Sequence, residues 1–178
     1  SFDAQGNLAA SIRNAYSENG FYIFEGVLNK DELDDIKVDL DKIRSNFPIH
    51  PESSVDINGE PALGVDSKAL TLVWSKPLGD PLGGTDLANG RHQIKMFEPK
   101  AAEDSPVASP FILLGSLQFS EACLRTYAHP ELLKVAESIN GKDFAPFNEA
   151  LFIKEPGIGA AVSWHQDGVT HWDSENFD

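Results

Sequence analysis

The sequence predicts an α+β fold, and three observations carry that reading. Amphipathic runs with recognisable start and stop signals fall near the beginning of the chain and again after residue 129. Short strand-like runs lie between and beyond them. Near the end, two extended runs, 149–154 and 160–165, are split by the turn Glu155-Pro156-Gly157-Ile158-Gly159.

Each element has a local reason. Residues 4–19 predict a helix, with Leu8, Ile12, Ala15 and Tyr16 on one stripe. Asn19-Gly20 ends it, because glycine suits a left-handed cap. Phe21-Tyr22-Ile23-Phe24 follows as a short strand. Asn29 or Asp31 can cap the next helix, with Asp31 and Glu32 well placed in its first turn. Leu33, Ile36, Leu40 and Ile43 give it a buried face, and Pro48 and Pro51 close it.

Residues 45–92 hold the turn signals Asn58-Gly59, Leu78-Gly79-Asp80-Pro81 and Gly83-Gly84. Such a long irregular stretch is a lid or binding loop, or else a surface excursion. Within it, 70–74 is a strand or a helical turn. Residues 93–97 read as a strand and 99–110, with Pro99, Pro106 and Pro110, as a loop. Residues 111–126 read as one or two helical segments. Pro130 opens a clear helix and Gly141 stops it.

Composition bounds the function. The 178 residues suffice for one domain with a sizeable core. A net charge of -14 repels phosphate backbones and anionic lipid, which disfavours nucleic-acid and membrane partners. The single cysteine, Cys123, allows no disulfide within the chain and reads as a small buried hydrophobe. No basic-then-apolar leader opens the sequence and no apolar run is long enough to span a bilayer. These features predict a cytoplasmic protein.

Chemistry concentrates in Ser163-Trp164-His165-Gln166-Asp167-Gly168. On an extended chain residues i and i+2 share a face, so His165 and Asp167 can present an imidazole and a carboxylate to one point. These are two of the three ligands of the 2-His-1-carboxylate triad that holds non-heme Fe(II) with open positions. A strand-end histidine hydrogen-bonded to a neighbouring carboxylate has the same signature. His171 shares their parity but lies about 20 Å from His165 on a straight strand. It reads as a pocket wall or substrate contact, or as an exposed loop histidine. His92 is a candidate pocket residue, and His50 and His129 read as surface residues. Lys95 interrupts Ile94-Lys95-Met96-Phe97. Lining a site, its ammonium would bind an acidic cosubstrate; on an alternating strand it would face outward. Gly157-Ile158-Gly159 lacks the third glycine and the helix of a dinucleotide loop, and no Gly-x-Ser-x-Gly elbow or cysteine pair is present.

The order of these pieces is more specific than any one of them. Glu18-Asn19-Gly20 leads to Phe21-Tyr22-Ile23-Phe24-Glu25-Gly26-Val27-Leu28, then Asn29-Lys30-Asp31-Glu32-Leu33. His129-Pro130-Glu131-Leu132-Leu133-Lys134-Val135-Ala136-Glu137 follows, then Asn148-Glu149-Ala150-Leu151-Phe152-Ile153-Lys154, and finally Trp164-His165-Gln166-Asp167. This set resembles the phytanoyl-CoA dioxygenase family of Fe(II)/2-oxoglutarate oxygenases. The resemblance covers most of the chain and is weakest over 45–92.

The resemblance implies a mainly β core, a double-stranded β-helix of jelly-roll, cupin-like type, with the N-terminal helices packed around it. It implies Fe(II) held by His165 and Asp167, and 2-oxoglutarate bound through Lys95. Asn148 falls where relatives carry a polar side chain beside the active site, and Trp164 and Gln166 line the pocket. Relatives continue past this point and supply a distal His ligand and an Arg for 2-oxoglutarate. The 178 residues are therefore expected to be the N-terminal part of one oxygenase domain, with C-terminal core strands missing. The implied reaction uses O2 to hydroxylate a small organic substrate. Related halogenases lack the carboxylate ligand, and Asp167 is present. The alternative is a non-catalytic or cupin-like metal-binding protein on the same scaffold, using His171.

Overall fold

The computed structural model describes residues 1–84, 94–146 and 148–165. It is α+β, with four α-helices and one small antiparallel sheet among the described residues. The chain divides into two compact units.

The first unit comprises Ser1–Asn46 and Gly115–Glu149 and holds the helices. Helix α1 spans Ala10–Asn19 and ends on Gly20 in the left-handed region, whose N–H returns to the Tyr16 carbonyl. It starts six residues later than the periodicity suggested. The Asp3 carboxylate accepts the backbone N–H groups of Gln5 and Asn7, each at 2.9 Å, and so folds the preceding residues into a turn. Side chains of this kind compete with helix for backbone donors. Leu8 and Ile12 are buried nonetheless. Phe21–Phe24, expected as a strand, pairs with nothing in a ladder among the described residues.

Helix α2, Lys30–Ser45, begins with a reciprocal cap. The Asn29 side chain accepts the Glu32 N–H at 3.0 Å, and the Glu32 carboxylate accepts the Asn29 N–H at 2.8 Å. Ile43 is buried, Ile36 and Leu40 are half-buried, and Leu33 is exposed, so the apolar face is narrower than its stripe implied. Asp39 on α2 accepts from the Ser120 hydroxyl (2.7 Å) and the Ala122 N–H (3.1 Å) at the start of α3, Glu121–Tyr127. Helix α4, Pro130–Asn140, has proline in its first turn and stops at Gly141. His129, expected at the surface, is largely covered and caps α4 by accepting the Glu131 N–H on Nδ1 at 3.2 Å.

The second unit comprises 47–114 and the chain from Ala150 onward, and it holds the sheet. Strands β1 (Leu72–Ser75), β2 (Ser109–Leu114) and β3 (Ala150–Phe152) pair antiparallel in the order β1-β2-β3. The register pairs Val73 with Ile112 and Ile112 with Phe152. It shifts between Val73 and Trp74, where Trp74 faces Pro110, a place where a strand tolerates proline. Phe111 and Leu113 are each 1% exposed and Ile112 is 8% exposed, so β2 is covered on both faces. This corrects the helical reading of 111–114. A continuous apolar run does not distinguish a buried strand from a helix.

Phe111, Ile112 and Ala160 form the core, with Val73, Leu82, Leu114, Ala150 and Val162 packed against them. Phe111 and Phe152 meet edge to face, with ring centroids 5.8 Å apart. Among the described residues no helix is long and apolar enough to cross a membrane.

Candidate functional site

Residues 160–165, expected as an extended run, follow the turn at 156–158 and join no sheet among the described residues. The backbone of 158–161 is fastened to the turn at 78–80 instead. The Leu78 N–H donates to the Ile158 carbonyl at 2.8 Å, and the Ala161 N–H donates to the Gly79 carbonyl at 2.7 Å. Leu78 holds a φ of 55° to make this link. Positive φ is uncommon for leucine and persists only where neighbours enforce it.

Asp80 is the centre of the arrangement and is fully buried. Its Oδ2 accepts from the Met96 N–H at 2.6 Å and from the Ser163 hydroxyl at 2.5 Å. Its backbone N–H donates to Glu98 at 2.8 Å, and its carbonyl accepts from the Lys95 ammonium at 2.6 Å. Asp80 Oδ1 is buried with no hydrogen-bond partner among the described residues. Burial pushes this carboxyl up. The Ser163 hydroxyl, the Met96 N–H, the Lys95 charge and the Gly83 N–H outweigh burial and hold it below its ordinary value.

Glu98 gathers the cations. Lys76 lies at 2.6 Å and Lys95 at 2.9 Å from its carboxylate. The Lys76 hydrogen bond, the Asp80 N–H and the Lys95 hydrogen bond lower it from 4.5 to about 2. A lowered carboxyl contributes stability above its unfolded value and loses it as pH falls through the folded value. The Glu98 contribution is therefore intact above 4.5 and disappears as the pH drops towards about 2. Glu98→Gln should flatten the decline of melting temperature across that acid window. Parallel melting curves for parent and variant would remove Glu98 from the acid response.

His165 follows directly. Its Nδ1 lies 2.8 Å from the Ser163 carbonyl oxygen. A carbonyl only accepts, so Nδ1 carries a proton, and in the neutral form of such a ring the lone pair is on Nε2. The imidazole is exposed, as is the Trp164 side chain beside it.

The structure thus brings Lys95 and His165 onto one network, through Asp80 and Ser163. Among the described residues, 94–97 form no ladder, so Lys95 does not sit on the expected strand there, and Met96 gives its N–H to a carboxylate. Asn148 is exposed and belongs to the helical unit. Gln166, Asp167, His171, the closing segment 169–178 and His92 lie outside the described residues. Among the described residues no group of three His, Cys, Asp or Glu side chains is placed to hold a metal. Cys123 is half-buried on α3. Sequence reasoning missed Asp80 and Glu98. Asp80 stood out only as part of a turn signal, and Glu98 gave no signal.

A family model described as phytanoyl-CoA dioxygenase (PhyH) matches residues 16–176. The chain belongs to the phytanoyl-CoA dioxygenase family. No curated protein and no solved structure matches it. The match takes in Lys95, Asn148 and the whole Trp164-His165-Gln166-Asp167 run. Phytanoyl-CoA dioxygenase family membership suggests Fe(II)/2-oxoglutarate-dependent oxygenase activity, with a small molecule and O2 as reaction partners. Metal-binding histidines characteristically donate one ring N–H to a carbonyl or carboxylate, and the His165 Nδ1 makes a bond of this kind to the Ser163 carbonyl.

Proposed function

We propose that this protein is a non-heme Fe(II)/2-oxoglutarate-dependent dioxygenase that hydroxylates a small organic substrate. The observation that carries the proposal is the His165 ring, oriented by its Nδ1 bond to the Ser163 carbonyl, in a run that the family match covers. In this reading His165 and Asp167 hold the metal, and the 178 residues belong to one oxygenase domain of double-stranded β-helix type. Bound Fe(II), with 2-oxoglutarate and O2, supplies the oxidative chemistry, and the protein orients substrate and excludes water. Trp164, Gln166 and His171 contribute to the substrate pocket, and Asn148 supplies a polar contact to the cosubstrate.

Lys95 offers an ammonium to the acidic cosubstrate. It now rests on the Asp80 carbonyl and on Glu98, so 2-oxoglutarate would exchange one carboxylate partner for another. The test is Fe(II)-dependent release of succinate from 2-oxoglutarate by the full-length protein. Lys95→Ala is expected to raise the KM for 2-oxoglutarate by about tenfold, with a smaller effect on kcat. An unchanged KM would remove Lys95 from the cosubstrate site. Fe(II) binding without 2-oxoglutarate turnover would instead favour a non-catalytic metal-binding protein on this scaffold.

A further inference from the structure

We propose that Asp80 and Ser163 are positioning residues for His165: the buried carboxylate fixes the Ser163 side chain, and the Ser163 carbonyl then fixes the ring. This deepens the metal-binding reading of His165 and rests on it.

The support behind the ring is rigid. Asp80 is 0% exposed and Ser163 is 1% exposed, and the two are joined by a 2.5 Å hydrogen bond. Neither side chain has solvent as an alternative partner. Every hydrogen-bonding group of Asp80 except Oδ1 is engaged, and its partners come from two other segments, 95–98 and 163. Bonds to ionised acceptors are the stronger ones, and a buried group that loses its partner is costly.

The second element is direction. Ile158 and Ala161 are tied to Leu78 and Gly79 through the backbone, while Ser163 is tied to Asp80 through its side chain. These three attachments run along six residues and stop two residues before His165. The last of them sets where the Ser163 carbonyl points, and that carbonyl receives Nδ1. Groups behind a ligand set its tautomer and orientation, and losing one commonly weakens metal binding by about 10- to 100-fold. Asp80 lies 85 positions before His165 in the sequence (165 minus 80), so no local motif announces it.

The test uses the full-length protein and two readouts, neither of which requires turnover. One is the nitrogen chemical shifts of the His165 ring in metal-free protein, which report the tautomer. The other is the dissociation constant for Co(II) alone. In the parent protein the ring is expected to carry its proton on Nδ1. Ser163→Ala, which leaves the Met96 N–H on Asp80, should give a mixture of tautomers and raise the Co(II) dissociation constant by about tenfold or more. Ser163→Cys keeps the side-chain shape with a slightly larger atom and substitutes a weak S–H donor, so it should move both readouts in the same direction even if the alanine variant does not fold. His165→Ala separates the two levels of the argument. If it leaves Co(II) binding intact, the metal reading itself is wrong. If it abolishes binding while both folded Ser163 variants keep the parent tautomer and affinity, only the positioning role is overturned.

Discussion

His165→Ala is expected to reduce Fe(II)-dependent 2-oxoglutarate turnover by on the order of a thousandfold or more, because a group acting as part of a unit takes the unit with it. Iron content after purification should fall in parallel. The size of the effect separates ligand loss from damage to the fold. His165 is exposed and lies in a segment held by bonds from Ile158, Ala161 and Ser163, none of which uses the imidazole of residue 165. The substitution removes the bond between the imidazole Nδ1 and the Ser163 carbonyl, and one hydrogen bond typically contributes about 0.5–1.5 kcal/mol. The variant should therefore melt close to the parent while losing its metal. Parent-like iron content and activity would remove His165 from the metal centre, and the same-face argument for Asp167 would lose its anchor.

What could be read in advance was local. The cap of α2 needs only Asn29 and Glu32, three residues apart, and both were visible as a helix start. Pro130 and Gly141 delimit α4 by the same short-range chemistry. The misread segments 94–97 and 111–114 have distant backbone partners, whereas α1 starts late for a local reason, the Asp3 carboxylate. Phe111–Leu114 is a strand because β1 and β3 flank it, and an apolar run carries no mark of that. Ile94–Phe97 alternates like a strand, yet its backbone is claimed by the Asp80 carboxylate, 16 residues away in sequence from Met96. The candidate site divides along the same line. The His-x-Asp spacing is short and legible. The Asp80–Ser163 bond spans 83 residues and joins a turn signal to an ordinary serine. Its existence follows from burial, since a carboxylate enters a core only with donors waiting for it.

Gly83→Ala should be among the most destabilising small substitutions in the sheet unit. A Cβ on Gly83 would stand 1.8 Å from Asp80 Oδ2, 2.4 Å from Asp80 Cγ and 2.7 Å from Ser163 Oγ. None of these atoms is the loose end of a solvent-exposed chain. The carboxylate is fully buried and held by Met96 and Ser163, so making room means breaking those bonds or moving the backbone of 80–83. Forcing a methyl into a packed site typically costs 1–3 kcal/mol, and displacing a charge-assisted hydrogen bond adds to it, so about 3 kcal/mol is expected. For a chain of this size that corresponds to a fall in melting temperature of roughly 6–12 °C. The cause can be isolated with a double variant. Asp80→Ala should be strongly destabilising by itself, because it leaves Met96 and Ser163 donors buried without an acceptor. In the Asp80→Ala background, however, the Gly83 methyl meets an emptied site, and its additional cost should drop by about 1–3 kcal/mol. Strict additivity of the two substitutions would mean that Gly83 does not press on the Asp80 carboxylate, and the close packing assigned to this turn would have to be abandoned.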